Sequence, residues 1–117
     1  MTTLQITFIT LVAFLHIYFM ILEMFLWTKP KGLKAFGLKK DFAEQSKVLA
    51  ANQGLYNGFL SAGLIWSLIE SRHDIAIFFL SCVMIAGIYG AYSTKKMKLF
   101  FIQSIPAIIG LLAIFIF

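Results

Sequence analysis

The chain has 117 residues, of which 61% are hydrophobic and 13% charged, where soluble domains carry roughly 45–50% and about 25%. A domain this small leaves a large share of its surface exposed, so it cannot hide that much apolar area from water. A soluble enzyme, a nucleic-acid module, a disordered regulator and a disulfide-stapled secreted domain are excluded, and an integral membrane protein remains, with a net charge of +5 that reports topology better than it reports a partner.

A bilayer core needs about 20 apolar residues in helical form, and four segments meet that length. The first span runs over 4–27, interrupted by Gln5, His16 and Glu23. It lacks a basic n-region and a small-residue cleavage site, so it is expected to stay in the mature protein rather than leave as a signal peptide. Residues 28–47 follow with Lys29, Lys31, Lys34, Lys39, Lys40 and Lys47. Within them Leu33, Phe36 and Leu38 alternate with lysines and glycines, as in a segment lying at the headgroups. Asp41 and Glu44 have capping-box spacing, which predicts a helix starting near Phe42 with Asp41 as its cap.

The second span covers 48–69 and carries Asn52, Gln53 and Asn57. A short turn, Glu70-Ser71-Arg72-His73-Asp74, leads to the third span at 75–93, and Lys95, Lys96 and Lys98 separate it from the fourth at 99–117. Nine of the ten basic residues therefore fall on one side of the alternating spans. The positive-inside rule makes the two basic loops cytoplasmic and puts both termini and the middle turn outside. The expected architecture is all-α, a single transmembrane domain over 1–117 folded as a four-helix up-down bundle, in a bacterial plasma membrane.

Each polar group inside a membrane is costly and asks for a partner or a purpose. His16 and Glu23, seven residues apart, share one face of the first helix about 10 Å apart along its axis. On the second helix Asn52, Gln53, Tyr56 and Asn57 occupy an arc of about 140°. Beside them runs a stripe of Ala50, Gly54, Gly58 and Ala62, whose GxxxG spacing lets another backbone come close. Val48, Leu55, Phe59 and Trp66 are left to face lipid. Ser81, Cys82, Ala86, Tyr89, Gly90, Tyr92 and Ser93 project from one half of the third helix. On the fourth, Gln103, Ala107 and Gly110 share a face, and Pro106 deprives the Ile102 carbonyl of its donor. Glu23, the three second-helix amides, Tyr89, Tyr92 and Gln103 all belong to the cytoplasmic half, which predicts a polar pocket opening toward the cytoplasm.

The runs His16-Ile-Tyr18, Leu22-Glu23-Met24-Phe25-Leu-Trp27-Thr-Lys-Pro30, Phe36-Gly37-Leu38 and Ala50-Ala51-Asn52-Gln53-Gly54-Leu55-Tyr56-Asn57-Gly58-Phe59 are specific. With Ala86-Gly87-Ile-Tyr89-Gly90 and Gln103-Ser-Ile-Pro106 they extend over essentially the full length. In them the chain resembles the small membrane proteins grouped as domain-of-unknown-function family 1304. The resemblance implies a four-span membrane protein and supplies no reaction.

Each candidate has a functional and a structural reading. Glu23 is a proton carrier or cation partner, or else a carboxyl bonded to Asn52 or Gln53 that fixes helix packing. His16 is a relay or ligand contact, or a bridge between helices. Asn52, Gln53 and Asn57 recognise a ligand, or are interhelical glue at about 0.6 kcal/mol per bond. Tyr56, Tyr89 and Tyr92 touch a ligand or belong to the interfacial belt. Gly54 and Gly58 read as packing, His73 as a solvated turn residue, and Cys82 as a small buried side chain.

A lone cysteine excludes disulfide frameworks, cysteine zinc sites and dithiol relays, and no third ligand joins His16 and Glu23 to make a metal site. No nucleotide, haem or flavin motif is present, so no cofactor is expected. The expected partners are membrane lipid, a small amphipathic ligand and a second copy docking through the small-residue stripes, with no nucleic acid. Three functions stay open: binding or transport of a small amphipathic or lipid-like molecule, acid/base catalysis by Glu23 and His16 in the membrane, and a non-catalytic subunit of a larger complex.

Overall fold

The computed structural model describes residues 1–117. The chain is all-α: α1 (Thr3–Phe25), α2 (Pro30–Phe36), α3 (Lys40–Ile69), α4 (His73–Thr94) and α5 (Met97–Ile116), the last with a π-helical turn at Phe100–Ser104. Three of these, α1, α4 and α5, are long and apolar enough to cross a membrane. At 30 residues α3 exceeds the length of a crossing, but Asn52, Gln53 and Asn57 dilute its apolar run.

Two local expectations are corrected. Helix α3 begins before Phe42: the Ala43 N–H donates to the Lys39 carbonyl at 3.0 Å, so Lys39 caps the helix and Asp41 lies inside its first turn. A carboxylate there still faces the positive end of the helix dipole. Cys82, expected buried, is half-buried; His73 is exposed as expected, with its Nε2 also 3.0 Å from Gln5 Oε1.

By its contacts the chain divides into two compact units. The first comprises Met1–Phe14 and Leu60–Phe117. Its core is apolar, built on Ile9, Val12, Leu64, Leu80, Val83 and Leu111 with Ala76 and Ala107 between them. Small residues set the spacing: a Cβ on Gly63 would collide with the Phe79 ring, and one on Gly87 with Ser104. Its buried polar side chains reach backbone carbonyls. Gln5 Nε2 donates to Ala113 O at 3.1 Å, Ser61 Oγ to Ala13 O at 2.8 Å, and Ser104 Oγ to Met84 O at 2.8 Å. In the α3–α4 turn Arg72 grips Asp74 through two hydrogen bonds, at 2.7 and 3.1 Å.

The π-turn answers Pro106. With no N–H at that position an α-helical ladder cannot close. The chain instead widens by one residue upstream, and the Ile105 N–H donates to Phe100 O five positions back.

The second unit is Leu15–Phe59. Here α2 is fixed at both ends. Pro30 occupies its first turn, where no amide partner is needed. At the other end Gly37 takes the left-handed conformation (φ 63°), and the Leu38 N–H returns to Leu33 O at 2.9 Å, a Schellman stop. Gly32 is buried so tightly against the Leu26 carbonyl that no side chain fits there. Trp27 completes the fastening: its ring lies 5.0 Å from that of Phe36, and its Nε1 donates to Ser46 Oγ at 3.1 Å.

Candidate functional site

The second unit brings together one of the expected polar groupings. Glu23 lies on the last two turns of α1, half-buried, and its Oε1 accepts a hydrogen bond from Asn57 Nδ2. Asn57 itself is buried. The approach of the two helices follows from glycine. At Gly54 a Cβ would meet Met24 and Glu23, and at Gly58 it would meet Met20. Both glycines of the GxxxG spacing are thus turned to side chains of α1.

Beside this pair opens a cleft of about 340 Å³, lined by Glu23, Thr28, Lys47 and Asn52 among its polar groups and by Met24, Phe25, Trp27, Val48 and Ala51 among its apolar ones. One carboxyl, one amide and one hydroxyl thus stand against an apolar wall ending in an indole. Lys47 adds a cation at the rim and is itself paired with Glu44 at 3.8 Å. The arrangement suits a molecule with a small polar head and an apolar body: the head meets Glu23 and Asn52, the body Trp27 and Val48.

The remaining candidates lie elsewhere. Gln53 and Tyr56 are exposed on α3, and the Tyr56 ring sits 6.1 Å from that of Phe59. His16 is only 1% exposed, its ring edge-on to Phe19 at 5.3 Å, and it does not line the cleft. Tyr89 and Tyr92 stand out from α4 at 66% and 82% exposure, as belt residues do, and Gln103 is half-buried in the π-turn of α5. These three belong to the first unit. Val48, Leu55, Phe59 and Trp66 are exposed, at 42% to 69%, and Val48 also lines the cleft.

Of the nine cleft residues only Glu23 and Asn52 were site candidates from the sequence; the other seven were not, Trp27, Thr28 and Lys47 among them. A signal existed for Trp27, which falls near the stripe of His16 and Glu23. Thr28 lies in the turn between α1 and α2, where periodicity carries no information, and Lys47 is the eighth residue of α3, in a stretch read from the sequence as basic loop.

The model of the family described as "Protein of unknown function (DUF1304)" matches residues 10–115. The uncharacterized protein YpaA of Lactococcus lactis subsp. lactis (strain IL1403) is 33% identical over 119 residues, covering 98% of this chain and 99% of that protein. No solved structure gives a significant match.

Proposed function

We propose a role for the chain from one premise: it belongs to DUF1304, a family of unknown function. On our reading it crosses a bacterial plasma membrane four times as an up-down bundle, with both termini outside and both basic loops in the cytoplasm. It binds or carries a small amphipathic or lipid-like molecule in the cleft beside Glu23. Helix α3 serves as the second crossing, since at 30 residues it extends about 45 Å at the helical rise, and two of its three amides, Asn57 and Asn52, meet α1 or the cleft while Gln53 stays exposed.

The observation that carries this reading is the Glu23 carboxyl. It accepts from Asn57 and at the same time lines an open cleft with an apolar wall. A carboxyl kept only to pair two helices would not need the open space beside it. Two observations favour binding over the other functions. His16 does not line the cleft, so an acid/base pair with Glu23 has no shared space there. Gly54 and Gly58 already meet Met20 and Met24 of the same chain, which uses the stripe a second copy would need.

Native mass spectrometry of the protein released from nanodiscs tests the proposal. A stoichiometric small molecule is expected on the unaltered protein and absent from Glu23→Gln, with the helical circular dichroism of the two preparations equal. An unaltered protein without any such molecule, or a variant that keeps it, would overturn the reading.

A further inference from the structure

The cleft leaves most of the chain's positive charge unused. Lys29, Lys31, Lys34, Lys39 and Lys40 fall within twelve consecutive residues that contain no acid. All five are exposed. Of the ten lysines and arginines only Lys47 and Arg72 are paired with a carboxylate, so the cluster has no internal counter-charge.

The cluster is held in place. Helix α2 presents Gly32, Leu33 and Phe36 to the protein and Lys31, Lys34 and Ala35 outward, on opposite sides at 100° per residue. Pro30, the Schellman stop at Gly37, the tight seat of Gly32 and the Trp27–Phe36 contact fix its position. Its level is fixed as well. The Lys31 ammonium lies 5.6 Å above the ring of Tyr18, which precedes the end of α1 by seven residues, about 10 Å along the helix. Helix α2 therefore turns back beside the last turns of an apolar helix long enough to cross a membrane. Tyrosine, tryptophan and snorkelling lysines are the residues found at headgroup depth.

We infer that the outward face of α2, with Lys39 and Lys40 behind it, is a binding site for the headgroup of an anionic phospholipid. The phosphate meets Lys31 and Lys34, and the acyl chains run along α1 past Tyr18 and Ile21, both exposed. Charge complementarity together with depth selects lipid over a soluble polyanion, which would have no use for an apolar flank. The inference is independent of the Glu23 cleft: it uses other residues and another ligand.

The test places the protein in nanodiscs of equimolar phosphatidylglycerol and phosphatidylcholine and reads by native mass spectrometry which lipid stays bound. Phosphatidylglycerol should be enriched on the unaltered protein. Combined Lys31→Gln, Lys34→Gln and Lys39→Gln should lower that enrichment about tenfold or more, whereas Lys95→Gln, Lys96→Gln and Lys98→Gln, removing the same charge from the other basic loop, should change it less than about twofold. All six side chains are exposed, so both variants keep the fold, which melting curves would verify. An equal fall in both variants would reduce the effect to net surface charge and overturn the site. Absence of enrichment in the unaltered protein would overturn it too.

Discussion

Asn57 and Ser61 lie one turn apart on α3 and use their polar atoms differently. Ser61 donates to a backbone carbonyl, Ala13 O, in a region where Gln5 and Ser104 do the same with Ala113 O and Met84 O. Asn57 instead donates to a side chain, Glu23, at the edge of open space. A hydroxyl that donates to a carbonyl leaves no unpaired polar hydrogen beside the apolar core around Leu64 and Leu80. An amide that holds a carboxylate leaves an ionisable group at a surface. The contrast separates polar residues that fasten helices from those that can meet a ligand, a distinction that residue type does not supply.

Substitutions can break or sharpen that contrast. The largest effect should come from the apolar core: Leu80→Ala empties a fully buried position and should lower stability by about 3 kcal/mol, read as a fall in the melting temperature in detergent. Asn57→Leu comes next. It strips Glu23 of its donor and should cost about 1–2 kcal/mol, the penalty for a polar group left unsatisfied. Ligand retention in the native mass spectrum should vanish with it. Ser61→Ala should cost only about 0.6 kcal/mol, a typical interhelical hydrogen bond in a membrane protein, and leave retention intact. If Ser61→Ala released the ligand as Asn57→Leu does, the contrast would collapse. Val48→Ala, at a side chain 69% exposed, should move the melting temperature by an amount equivalent to less than about 0.5 kcal/mol while weakening retention, because Val48 also lines the cleft.

Apolar run lengths and lysine positions made the helices and connections legible in the sequence. Hydropathy alone stops the second span at residue 48 and misses the two polar turns from Lys40 to Lys47, whereas the spacing of Asp41 and Glu44 announced that helix start to within two residues. The site was legible in part. Helical angles put Asn52, Gln53 and Asn57 in one arc, but neighbouring positions differ by only 100°, and angle alone does not tell which amide Glu23 meets. Asn57 takes the bond, Asn52 lines the cleft, and Gln53 is exposed. The Gln5–His73 contact joins residues 68 apart in sequence, and no local pattern announces such a pair. Pro106 did mark its disturbance in advance, since a missing N–H must be accommodated somewhere.

That widening changes how the fourth apolar segment carries information. A π-turn holds one residue more than the helix around it, so the residues before Phe100 and those after Ser104 run on two phases offset by about 100°. The buried series Ser104, Ala107, Gly110 and Leu111 obeys only the second phase. Deleting one residue between Phe100 and Ile102 would merge the two phases and swing Leu99 and everything before it around the axis, although composition and hydropathy would barely change. The segment behaves as two short sentences spliced by a single inserted letter, and its tolerance to a change of length should be far lower than its tolerance to a change of side chain.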